Sequence, residues 1–159
     1  MKPLRPKRRA TAAGRAESSA ARVRGTLEAA GCRYTAQRAA VYRYLEGVET
    51  HPTAEEVFQT VRGDLPRISL ATVYNALEVL VEARLATKLT YGDGSARYDC
   101  RGEDHYHLRD VVTGQVRDLP ATFDPELLEK LDPGLRQTLA EHGFKVTGHR
   151  LEVLGRFEK

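Results

Sequence analysis

Between residues 17 and 83 apolar side chains recur every three or four positions, the period of helices that bury one face. The pattern predicts a first helix over about 17–30, stopped by Gly31. A second starts near Thr35, carries Ala39, Ala40, Tyr42 and Leu45, and stops at Gly47. Thr53-Ala54-Glu55-Glu56 is a capping box, and Val57, Phe58 and Val61 follow it as the buried face of a third helix. Pro66 breaks the chain. Ser69 then caps a fourth helix with Val73, Leu77, Leu80 and Val81 as its stripe, and with Thr72, Tyr74, Asn75 and Glu78 on the opposite face.

The period then shortens. LATKLTYGDGSARYDC (85–100) reads as two strands, about 86–90 and 96–100, around a turn containing Gly92-Asp93-Gly94. Helix, turn, helix and hairpin is the order of a winged helix-turn-helix, which lays its last helix in the DNA major groove. A helical bundle with a stray hairpin explains the periodicity equally well. It does not explain an outward face of Thr, Tyr and Asn, side chains that hydrogen-bond bases or phosphates.

Farther on, HLRDVV and QVRDL read as strands joined at Thr113-Gly114. Residues 124–142 read as a helix with Leu127, Leu128, Leu131, Leu135 and Leu139 as its stripe, interrupted at Asp132-Pro133-Gly134, and 144–157 as a final strand containing Val146, Leu151 and Val153. So small a β-β-α-β unit invites pairing with a second copy, and a twofold dimer suits palindromic DNA. The expected fold is therefore α+β. A basic arm (1–16) precedes an N-terminal winged helix-turn-helix domain (17–100), and a small α/β dimerisation and metal-binding domain (101–159) follows.

Composition narrows the class. The 159 residues are 41% hydrophobic and 30% charged, with no apolar run of membrane-spanning length. No apolar stretch follows the basic N-terminus, so a secretory signal is not expected and a cytoplasmic location is. Eight cations (Lys2, Arg5, Lys7, Arg8, Arg9, Arg15, Arg22, Arg24) against Glu17 give residues 1–24 a local +7, although the net charge is only +3. Such an arm is either a solubilising tail or a polycation that follows a phosphate backbone. The two cysteines, Cys32 and Cys100, form neither a disulfide framework nor a C-x-x-C knuckle and read as free thiols.

The candidate chemistry lies in GDGSARYDCRGEDHYHL. His105 and His107, two apart, point to one side of a strand, and Asp99 lies six residues upstream. Asp118 is across the Thr113-Gly114 turn, near His107 and Leu108, and His51 precedes the third helix. Taken singly, each has an ordinary surface explanation. His142 and His149 read as a helix-surface and a satisfied strand residue.

GCRYTAQR (31–38), HPTAEEV (51–57), ISLATVYNAL (68–77), LTYGDGSARYD (89–99), HYH (105–107) and FKVTGHRLE (144–152) together resemble the Fur family of metal-dependent transcription regulators. Within it the chain is most similar to the peroxide-sensing PerR branch. The resemblance runs from about Leu27 to Gly155. It implies a regulatory metal at the domain junction, held by His51, Asp99, His105, His107 and Asp118, whose spacings of 48, 6, 2 and 11 follow the branch. Aspartate at 118 is the branch's mark, where iron-uptake regulators usually carry glutamate. Imidazole and carboxylate without thiolate suit Fe²⁺ or Mn²⁺, with Zn²⁺ admissible. The resemblance also implies that peroxide oxidises His51 and His105. For DNA it points to Arg33 in a minor groove and to Tyr74 and Asn75 on the fourth helix, with Ser69 and Thr72 as phosphate contacts.

The chain departs from the family at the structural zinc. Asp110 and Thr113 stand where a first C-x-x-C pair is usual, and GRFEK holds no cysteine, so a four-cysteine zinc site is not expected. Some members use the position of His149 in an auxiliary site; with Asp104 and Tyr106 beside it, none is assigned here. The reading is a homodimeric, metal-activated, peroxide-sensing repressor, not an enzyme and without a membrane partner. The alternatives are a regulator of iron, manganese or zinc supply, and a small non-haem iron enzyme built on two histidines and one aspartate.

Overall fold

The computed structural model describes residues 12–91 and 94–158. Most of the basic arm and the turn residues Gly92 and Asp93 lie outside the described residues. Helix α1 (Ala12–Ala29) begins inside the segment assigned to the arm and ends at Gly31, whose φ of 72° suits a residue without Cβ.

Helices α2 (Ala36–Gly47), α3 (Ala54–Asp64) and α4 (Leu70–Glu82) follow as the apolar period predicts. Their starts are set by side-chain caps. Thr35 accepts from the Arg38 amide, Ser69 accepts from the Thr72 amide, and Thr53 and Glu56 complete both halves of the capping box. Val23, Leu27, Val41, Leu45, Val57, Val73, Leu77 and Leu80 close into one core, each contributing about 1.5–3 kcal/mol of burial. Strands β1 (Thr87–Thr90) and β2 (Ala96–Asp99) pair antiparallel with Leu89 opposite Arg97. Tyr98 faces the helical core, so the wing is packed onto the helices.

The second lobe is a three-stranded sheet in the order β4-β3-β5. Strands β3 (His107–Asp110) and β4 (Val116–Asp118) form the antiparallel hairpin, and β5 (Glu152–Gly155) joins β3 in parallel. The crossover holds two short helices, α5 (Leu127–Leu131) and α6 (Leu135–Glu141), in place of a single interrupted helix over 124–142. Gly134, at φ 92°, reorients the chain between them, and Leu131 at the end of α5 is 71% exposed.

The final strand is much shorter than the 144–157 expected. Strand β3 offers only four partners, and the residues before β5 serve another purpose. His149 is therefore not a strand residue: its ring stacks on Phe123 at 4.8 Å, and its Nε2 lies 3.2 Å from the Tyr106 hydroxyl. His142 caps the end of α6, with Nδ1 2.8 Å from the Thr138 carbonyl oxygen.

The Asp110 carboxylate closes a loop. Its Oδ1 accepts from the amides of Val112 and Thr113 (2.8 and 2.9 Å), and its Oδ2 accepts from the amide of Phe157 at 2.9 Å. These donors, from the β3–β4 turn and the segment after β5, hold the Asp110 carboxyl down at about 2. The Phe157 ring lies under the Arg117 guanidinium at 4.2 Å.

The two lobes meet through the segment before α3. Thr50 bridges to Arg117, the His51 amide donates to the Val116 carbonyl, and the Tyr98 amide donates to the Pro52 carbonyl. Leu89 and Tyr91 of the wing pack with Val116 as a second small core. Residues 50–52 are thereby stitched to β4 on one side and β2 on the other.

Candidate metal centre and reading helix

That stitching delivers His51 to the start of α3, where it meets residues from the wing and the second lobe. Asp99 ends β2, His105 lies in the connection to β3, His107 opens β3, and Asp118 closes β4 directly opposite His107. His51 Nε2 lies 2.8 Å from Asp118 Oδ1, and His51 Nδ1 lies 3.7 Å from Asp99 Oδ1. His105 Nε2 is 3.1 Å from Asp99 Oδ2 and 3.3 Å from Asp118 Oδ1. The three imidazole centroids are 4.6–5.9 Å apart. Ligand atoms of His51, Asp99, His105 and His107 all lie within 4.8 Å of one another. Asp118 falls outside that mutual set but touches two of its histidines.

Burial sets the state of these groups. His51, Asp99 and His107 are only 3–5% exposed. Desolvation, the largest effect, lowers the His51 imidazole despite the Asp99 and Asp118 carboxylates beside it. Burial, reinforced by the rings of His51 and His105, pushes His107 down to about 4. Both rings are therefore neutral at pH 7 and carry free lone pairs. His105 Nδ1 is 2.7 Å from the Glu103 carbonyl, which fixes Nδ1 as the protonated nitrogen and turns the Nε2 lone pair inward.

The donors fit a divalent cation. Both ring nitrogens of His107 are buried without a hydrogen-bond partner, an arrangement that costs free energy unless something is bound, and the inward nitrogens of His51 and His105 face only the Asp99 and Asp118 carboxylates. Three imidazoles and two carboxylates match Fe²⁺, Mn²⁺ or Zn²⁺. The Cys100 thiol, raised to about 11 by burial, packs against the helical core and does not join the cluster.

Two arginines near the cluster escaped the residue-pattern reading. Arg101 pairs its guanidinium with Asp118 Oδ2, and Arg97 is buried beside His51. Strand alternation is the signal for the second, because Arg97 and Asp99 share a face of β2.

On the helical lobe the candidate DNA contacts lie on two elements. Arg33 is exposed in the turn between α1 and α2. Tyr74 and Asn75 are exposed on α4. Ser69 and Thr72 form its N-terminal cap, with their hydroxyls 2.8 Å apart. The Tyr74 hydroxyl donates to Glu55 Oε1 at 2.6 Å, so α3 holds this side chain in place. Lys88 of the wing reaches Glu78 of α4 at 2.6 Å.

Residues 29–154 match the sequence profile of the ferric uptake regulator family. The chain belongs to the ferric uptake regulator family. Among curated relatives, the peroxide-responsive repressor PerR of Staphylococcus aureus is 41% identical over 132 residues, covering 82% of this chain and 83% of that protein. Among solved structures, a zinc-bound manganese uptake regulator is 31% identical with a TM-score of 0.64, over 86% of this chain and 98% of that one. The Helicobacter pylori ferric uptake regulator shares the fold with a TM-score of 0.70 at 22% identity, over 90% of this chain and 91% of that one. The α+β reading agrees with these family members. Among the described residues, no helix is long and apolar enough to cross a membrane.

Proposed function

We propose that this family member is a metal-activated DNA-binding repressor that responds to peroxide. The observation that carries the reading is the convergence of His51 and Asp99 from the first lobe with His105, His107 and Asp118 from the second. A divalent ion held by all five stabilises one relative orientation of the lobes, and DNA affinity rises by the ion's preference for that orientation. The Tyr74–Asn75 face of α4 then enters the major groove, with Arg33, Ser69 and Thr72 as flanking contacts.

Fe²⁺ held by these residues would supply the one-electron reducing power toward hydrogen peroxide that the peroxide response needs. His51 and His105 would hold the ion through nitrogens turned toward the Asp99 and Asp118 carboxylates, which makes their rings the candidates for oxidation. Identity to a peroxide-responsive repressor supports this choice of signal. The 31% identity to a manganese uptake regulator favours a second reading, in which metal supply alone is the signal. Family membership argues against the non-haem enzyme.

The partner in the assembly is a second copy. Val153 and Leu154 on the edge strand β5, with Val111 and Val112 at the neighbouring turn, are 43–66% exposed, an apolar edge suited to pairing across a twofold axis. A repressor of this kind acts in the cytoplasm.

The test uses a duplex recovered by selection from a random-sequence pool with the Mn²⁺-loaded protein. Its retardation in a gel is expected with Mn²⁺ or Fe²⁺ and is expected to vanish with chelator. Peroxide should release the DNA from the Fe²⁺ form only, with +16 Da on His51 or His105. Retention of DNA by peroxide-treated Fe²⁺ protein with unmodified histidines leaves the metal-supply reading.

A further inference from the structure

One buried cation joins the metal cluster to the reading helix. Arg97 lies two positions before Asp99 in β2, so both side chains leave the strand on the face toward His51, while Tyr98 enters the helical core. Arg97 is 7% exposed. Its Nη1 donates to the His51 carbonyl at 2.8 Å and to Glu56 Oε2 at 3.2 Å. The same Glu56 oxygen accepts the Thr53 amide at 2.8 Å, so it is also half of the capping box that starts α3. Glu55, the neighbouring residue, accepts the Tyr74 hydroxyl of α4. On the far side Gly114 of the β3–β4 turn passes over the guanidinium; a Cβ there would stand 3.8 Å from Nη2.

We propose that Arg97 is a positioning residue that couples occupancy of the metal cluster to the setting of the reading helix. The inference rests on the metalloregulator reading above and adds the residue that transmits the signal. A buried guanidinium is stable only while its acceptors stay in place, because an uncompensated buried charge is costly. Here the acceptors belong to different machinery. One is the backbone of a metal-ligating residue, and the other is the first turn of α3, which in turn holds Tyr74.

A shift of the 50–52 segment as the His51 ring is drawn toward an ion displaces the donor shared with Glu56. The cap of α3 and the Glu55–Tyr74 contact follow. Lysine cannot replace this fork, since a point charge on a flexible stem does not hold two acceptors at fixed geometry.

The experiment compares the unsubstituted chain with Arg97→Met, Arg97→Lys and Glu56→Gln. Two quantities are measured. One is the ratio of affinities for the selected duplex with saturating Mn²⁺ and with chelator, by fluorescence anisotropy. The other is Mn²⁺ affinity of the protein alone and with the duplex, by electron paramagnetic resonance.

In Arg97→Met the affinity ratio is expected to fall by roughly fivefold or more, within the usual range of allosteric coupling. Mn²⁺ affinity of the free protein should be unchanged. By reciprocity, the gain in Mn²⁺ affinity caused by DNA should fall by the same factor, whereas a merely structural role would lower DNA affinity with and without Mn²⁺ alike and leave both gains intact. Arg97→Lys should follow Met. Glu56→Gln keeps a residue able to complete the capping box but removes the charge facing Arg97, so a partial fall is expected.

An unchanged ratio in the arginine variants overturns the proposal, as does loss of Mn²⁺ binding by free Arg97→Met protein. Should the arginine variants fail to fold, an unchanged ratio in Glu56→Gln overturns it alone. A ratio of one in the unsubstituted chain refutes the regulatory reading itself and leaves Arg97 no coupling to carry.

Discussion

His51 Nε2 lies 2.8 Å from Asp118 Oδ1, although one residue precedes a helix of the DNA-binding lobe and the other ends a strand of the second lobe. The contact is possible because the His51 amide is bonded to the Val116 carbonyl, two residues before Asp118, which sets the ring over the end of β4. An ion between these groups would be a joint between lobes. His51→Ala should therefore abolish the Mn²⁺-dependent gain in DNA affinity while leaving binding in chelator as it was. Anisotropy titrations check this, and an intact metal response in His51→Ala would remove His51 from the joint.

The capping box gives a second expectation. Thr53→Ala removes the acceptor for the Glu56 amide and should destabilise the protein by about 1 kcal/mol. Urea unfolding followed by circular dichroism measures the loss; no shift in midpoint would mean that the cap adds nothing.

Asp110 makes the third. Its carboxyl sits at about 2 against an ordinary 3.8, because three backbone amides donate to it. A depressed carboxylate stabilises the folded state above its unfolded value, and that stabilisation is lost as pH falls through the folded value. The contribution is therefore full above about pH 4 and disappears toward pH 2. Asp110→Ala should flatten this acid limb and speed hydrogen exchange at the amides of Val112, Thr113 and Phe157. Unchanged exchange at Phe157 would show that the carboxylate does not hold the tail.

The exposed apolar edge gives the fourth. Leu154→Lys on β5 should shift the assembly from dimer to monomer in analytical ultracentrifugation, at little cost to the fold, because Leu154 is 61% exposed. A dimer that persists unchanged would place the interface elsewhere.

The helical lobe was legible from residue pattern because its period and its caps agree: Thr35, Thr53 and Ser69 each start a helix whose apolar stripe is buried. Strand pattern and one turn brought Asp118 near His107 and Leu108, and the register that sets it opposite His107 is seen only in the structure. The convergence of His51 with them was not legible from local pattern. It depends on a single bridge at Thr50 and on backbone bonds between lobes, and only the family resemblance pointed to it. The segment 144–151 misled because Leu151 and Val153 share a strand face and Val146 is β-branched, whereas the Phe123–His149 stack and the short β3 limit pairing to four residues. Arg101 was missed because a carboxylate-paired arginine has the same local signature as an exposed one, whereas Arg97 is betrayed only by strand alternation, which puts it on the face of Asp99.

The central claim is that side chains from both lobes hold one ion. Anomalous diffraction from crystals grown with Mn²⁺ tests it most directly. The account predicts one strong peak within bonding distance of His51, Asp99, His105, His107 and Asp118. A peak ligated by His105 and His107 alone, or one lying away from the cluster, would contradict it.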